Sequence, residues 1–238
     1  MTETQPGASQ PDASQGAFAD PDYRAAVVDL LGAIAYGELA AFERLADDAK
    51  LAPGLADKIA LSAMAAGEFS HLDDLQRRIS ELGADPFAAM EPFRQALDDF
   101  HSHTAPADWY EGLVKAFVGD GLARDFYREI AAYLDPETRA LVTDVLDDSD
   151  RSSFVVDRVR EAIRADHRLG GRLALWARRL MGEALIQAQR IAAERDAMTA
   201  LVAGGVDRPG LDLAAIGRMF TRLTERHAER MGELGLDP

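Results

Sequence analysis

The sequence predicts an all-α protein: a four-helix bundle with a long crossover and additional C-terminal helices. Three observations carry that prediction. Apolar residues recur at three-and-four spacing along most of the 238 residues, the period of a helix packed on one side. No segment shows the convincing alternation of a half-buried strand. The helical patterns are separated by short Pro, Gly or acidic turns, with one long interval over residues 84–106, which suggests a crossover rather than a hairpin.

Composition sets the frame. A hydrophobic content of 47% supplies a core. With 41 acidic against 26 basic residues the net charge is −15, which disfavours non-specific binding to nucleic acid or anionic membrane. Cysteine is absent, so thiolate metal sites and cysteine nucleophiles are excluded, and a reducing, cytoplasmic setting is expected. Residues 1–20 are rich in Pro, Gly, Ser and Gln, without the basic start and apolar run of a secretory signal; they predict a disordered tail. No apolar segment is expected to approach the length needed to span a bilayer.

In chain order, residues 22–46 predict a first helix with Pro21 near its start. Its stripe is Val27, Leu31, Ile34, Glu38, Phe42 and Leu45, so Glu38 falls among apolar positions. Gly32, Ala33, Ala35 and Gly37 leave room for a neighbouring helix or an ion to come close. Pro53-Gly54 separates this from a second helix, which continues to about Leu82 and stops at Gly83. The second stripe is Leu61, Met64, Glu68, His71/Leu72, Leu75 and Ile79. Glu68 and His71 therefore share one buried turn, where a carboxylate and an imidazole are costly unless compensated.

The interval 84–106 holds Pro86, Pro92 and Pro106 and a short helical pattern over 93–100. Its two histidines, His101 and His103, read as solvated. A third helix begins near Asp108 with stripe Leu113, Phe117, Asp120, Ala123, Tyr127 and Ile130. Asp120 sits in that stripe as Glu38 does in the first. Residues 138–146 and 154–164 are helical on either side of D-D-S-D-R-S-S. Gly170-Gly171 predicts a break, followed by an arginine-rich helix over 172–197 and a last amphipathic helix over 211–234. The chain thus divides into a tail at 1–20, a bundle domain at 21–199 and a C-terminal helical extension at 200–238.

A loose repeat relates the halves. Glu38 and Glu68 lie 30 residues apart, and a shift of 82 places them on Asp120 and Asp150. Carboxylate-bridged di-metal bundles take one carboxylate from each of two helices and a Glu-x-x-His pair from each of the other two. Glu38 and Glu68-x-x-His71 make one such half, and Asp120 a third carboxylate. The remaining slot reads Asp150-Arg-Ser-Ser153, with serine where a histidine belongs, and Asp150 reads more readily as part of a loop.

With these residues in view, Tyr36-Gly-Glu38, Gly67-Glu68-Phe-Ser-His71 and Gly119-Asp120-Gly-Leu-Ala-Arg-Asp-Phe-Tyr127 resemble the ferritin-like superfamily. The likeness spans roughly 22–197. More narrowly, it is to actinobacterial MiaE-like proteins, related to the tRNA isopentenyladenosine hydroxylase. That resemblance implies iron in a di-iron or single-iron centre that activates oxygen. It implies Glu38, Glu68, His71, Asp120 and Asp150 as ligands, and a tRNA or small-molecule substrate. The donor set, oxygen-rich with one imidazole, suits iron or manganese better than zinc or copper. The alternative is a metal-free, non-catalytic bundle serving as an interaction or scaffold protein, in which Glu38, His71 and Asp120 satisfy one another by hydrogen bonds. The arginines of 172–195 admit an RNA-facing surface, though pairing with the acidic remainder is the plainer reading. A dimer is compatible with the sequence.

Overall fold

Asp20 starts the first helix: its carboxylate accepts the amide N–H groups of Asp22 and Tyr23, and Pro21 takes the position where a missing N–H costs nothing. The computed structural model describes residues 18, 20–146, 152–197, 201 and 213–238, and among them every regular element is a helix. These are α1 (Pro21–Asp48), extended by a 3₁₀ turn (Ala49–Leu51), α2 (Leu55–Ser70), α3 (Leu72–Glu81), α4 (Pro86–His103), α5 (Trp109–Ala131), α6 (Pro136–Leu146), α7 (Ser152–Ala165), α8 (His167–Glu194) and α9 (Leu213–Glu233).

α1 is the centre, packed by α2, α3, α4 and α5. Because neighbours surround it, it is apolar on more than one face, and with its 3₁₀ turn it is long and apolar enough to cross a bilayer. The expectation that no segment reaches that length is therefore corrected. More than half of its most apolar stretch is buried inside the protein, as befits a core helix. Two apolar clusters result. One gathers α1, α3, α4, α6 and the end of α5 around Leu30, Leu31, Ile79, Phe93 and Leu146. The other gathers α2, the first half of α5, α7, α8 and α9 around Leu61, Leu113, Val159, Leu173 and Met231.

Three predicted boundaries are corrected. The second helix is two, α2 and α3, meeting at His71, whose backbone stays near helical geometry (φ −85°, ψ −14°) while the hydrogen-bond ladder breaks. Its stripe survives the break: Leu61, Glu68, Leu72, Leu75 and Ile79 are all buried, and Gly83 supplies the positive φ of the stop. The long interval is mostly helix, for α4 fills Pro86–His103. Asp85 caps it, Pro86 stands in its first turn, and Pro92 lies in its interior, where it removes one ladder bond without ending the helix. Gly170-Gly171 do not break the chain; they lie inside α8, which Asp166 caps four residues earlier.

Four arginines of α8, and Arg195 just past its end, are engaged by the rest of the protein. Arg172 pairs with Asp108 and Glu111, Arg190 with Asp99 and Arg195 with Asp29. Arg178 donates to the carbonyl of Asp237 and Arg179 to that of His103.

Candidate functional site

At the seam between the two apolar clusters lies a partly open cavity of about 100 Å³, walled by α1, α4 and α5, with Glu68 of α2 and Leu146 of α6 at its sides. Three of the predicted residues line it: Glu38, Glu68 and Asp120. His71 reaches the cluster through Glu38, its Nδ1 lying 3.2 Å from Glu38 Oε2. Asp150 lies outside the described residues. Ser153, in the place of the second histidine, is exposed in the first turn of α7.

Each acid arrives on a helix face fixed by apolar neighbours. Ile34 and Leu45 of α1 are buried one and two turns from Glu38, and Leu61 and Leu72 hold Glu68 inward, leaving it 5% exposed. On α5, Asp120 and Arg124 stand one turn apart on the same face. Arg124 Nη2 is 3.1 Å from Glu68 Oε1. The pocket also holds Lys115, whose Nζ donates to the carbonyl of Thr104 at 2.8 Å. Arg44 pairs with Asp48 at 3.1 Å.

The electrostatics follow from burial. Desolvation pushes Glu68 far above the usual carboxylate range, with the charges of Asp120 and Glu38 acting the same way and Arg124 opposing. The neighbouring Glu38 carboxyl acts in the same upward direction through hydrogen bonding. Burial raises Asp120 as well, against the pull of Arg124. Burial brings Lys115 down to about 7, while Asp48 supports its charged form. His101 is brought down to about 3 by burial first, then by Lys115 and Arg44, so its imidazole is neutral. The Tyr127 hydroxyl is pushed upward by burial and by Glu38.

This arrangement does not fit a metal ion. Among the described residues, no three side chains of His, Asp or Glu are grouped so as to hold one. Two of the oxygens that would bind already have partners: Glu68 Oε1 meets Arg124 and Glu38 Oε2 meets His71. Within the lining, three basic side chains (Arg44, Lys115, Arg124) stand among four carboxyls (Glu38, Asp48, Glu68, Asp120). The cluster is compensated by the chain itself.

Arg44, Asp48 and Lys115 of this pocket were not singled out as site residues in the sequence, and neither were His101 and Arg124. His101, expected in solvent, lines the cavity with its Nδ1 buried and without a hydrogen-bond partner. Its signal was the spacing Phe93, Leu97, Phe100/His101, which carries the short helical pattern read over 93–100 one residue further. His103, by contrast, is exposed and meets Glu183 at 2.9 Å. Arg124 was visible as the residue one turn after Asp120, but an arginine in a polar sequence reads as surface.

A family model described as "Ferritin-like domain, actinomycetes" matches residues 21–205. The chain belongs to this family. Among solved structures, the chain is similar to "Protein 19 with aldehyde deformylating oxidase activity from Synechococcus", at 21% identity and a TM-score of 0.63. That match covers 90% of this chain and 93% of the other. At that identity the likeness shows the fold, and the ferritin-like bundle expected from the sequence is the fold observed. Among curated proteins, none matches the chain.

Proposed function

We propose that this chain is a metal-free ferritin-like bundle, acting as an interaction or scaffold protein, in which the carboxylate cluster is a structural charge network. One observation carries the reading: the Arg124 guanidinium is paired with Glu68 inside the cluster, so a fixed positive charge already stands where the acids converge. The hydroxylase alternative, with iron and a tRNA substrate, requires Glu38, Glu68, His71 and Asp120 to turn together on an ion. It requires Glu68 to give up its partner Arg124. The pairing of α8 arginines with acidic residues of the same chain also weighs against an RNA-facing role.

A surface suited to interaction exists on α2. Leu55, Ile59 and Phe69 are 74%, 60% and 47% exposed, and their spacing puts them on one helical face. Residues 59–67 carry no charge, leaving an apolar strip of the kind that marks contact sites. A cytoplasmic setting, expected from the lack of cysteine, agrees with this reading.

The test is metal content. The purified protein is expected to carry iron and manganese well below one ion per chain, with Glu68→Ala and His71→Ala leaving that content unchanged. Stoichiometric metal that either substitution removes would overturn the proposal and restore the oxygen-dependent enzyme.

A further inference from the structure

Of the three cations lining the cavity, two are committed elsewhere. Lys115 Nζ donates to the carbonyl of Thr104, at the end of α4, and lies over the Phe100 ring. Arg44 is taken by Asp47 and Asp48. Arg124 alone of the three pairs with a cluster carboxylate, at 3.1 Å from Glu68. Its charge also acts on Asp120, one helical turn before it.

Three carboxyls drawn together in a desolvated space repel one another, and burial alone does not hold them there. Some cation must, and a guanidinium is suited to the task because it never gives up its proton and offers several donors in one plane. A divalent ion would need the same Glu68 oxygen that Arg124 binds, so the two are mutually exclusive.

We infer that Arg124 is the internal counter-ion that keeps divalent cations out of the Glu38–Glu68–Asp120 cluster, and that replacing it with a neutral side chain opens a metal site there. This rests on the metal-free reading above. It assigns the exclusion of metal to one residue rather than to the serine at position 153. Glu38, Glu68 and Asp120 already line one cavity and His71 reaches Glu38 at 3.2 Å, and removing the guanidinium frees the Glu68 oxygen for a hard ion such as Mn²⁺.

The experiment compares the full-length chain with Arg124→Leu, Arg124→Lys and the double variant Arg124→Leu/Glu68→Gln. Each is taken through equilibrium dialysis against Mn²⁺ and thermal melting with and without the ion. Arg124→Leu is expected to bind Mn²⁺ at least about tenfold more tightly than the unmodified chain. It is also expected to melt higher with the ion than without, as ligand linkage requires, with EDTA reversing the gain. Arg124→Lys, which keeps a charge in place, and the double variant, which loses a ligand, are expected to behave like the unmodified chain.

A folded Arg124→Leu that gains no Mn²⁺ affinity overturns the inference while leaving the metal-free reading intact. So does Arg124→Lys binding as well as Arg124→Leu. An Arg124→Leu chain that fails to fold in either the presence or absence of Mn²⁺ counts against it too, since the ion is meant to replace the lost charge. Tight, Glu68-dependent Mn²⁺ binding by the unmodified chain would instead sink the metal-free reading itself.

Discussion

Burial raises the pKa of Glu68, the Asp120 and Glu38 charges push it further, and Arg124 pulls it back. The folded protein therefore keeps a proton that the unfolded chain releases near pH 4.5. With more protons bound in the native state, stability is fully present below that pH and declines as pH climbs towards the folded-state pKa. Glu68→Gln supplies a neutral side chain of the same shape, so it is expected to flatten this stretch of the stability profile. Urea unfolding at intervals from roughly pH 5 to pH 8 measures the slope directly; equal slopes in both proteins would show that Glu68 is ionised in the fold. At this scale the sequence exposed three acids and one histidine on buried faces. It did not expose their compensation, because apolar periodicity marks which positions point inward but is silent on which cation swings in from the next turn.

Among the elements, α1 and α4 approach closely at Gly32. A Cβ on Gly32 would collide with the backbone carbonyl of Ala89, and backbone cannot move aside as a side-chain tip does. Gly32→Ala is thus expected to destabilise by about 1–3 kcal/mol through overpacking. In a chain of this size that lowers the melting temperature by roughly 2–4 °C per kcal/mol, and a melt within error of the parent would refute the close approach. The small residues of α1 read in the sequence as room for a helix or an ion; at Gly32 it is the helix that comes. Element existence and faces were legible wherever an apolar stripe ran unbroken, as in α1, α5 and α9. α4 was obscured by Pro92, and the split at His71 was invisible because Leu61 to Ile79 keep one helical register across it.

For the molecule as a whole, the C-terminal segment is part of the second core. Met231, Leu234 and Leu236 are buried in it. Arg222, Arg226 and Arg230 of α9 pair with Asp125 and Glu129 on the side of α5 turned away from the cavity. One helix thus serves two charge networks, Asp120 and Arg124 inward and Asp125 and Glu129 outward. Each apolar side chain of that size contributes about 1.5–3 kcal/mol when fully buried. Deleting residues 213–238 is accordingly expected to lower the melting temperature by roughly 10 °C or more while the remainder still unfolds in one step. A truncated chain that melts with the parent would make α9 an independent appendage.

The Arg124–Glu68 pair has a consequence for how such a protein is made. A counter-ion that is translated with the chain needs no uptake, no delivery protein and no particular oxidation state. On the metal-free reading proposed above, chelation or iron starvation would leave the bundle's interior unchanged.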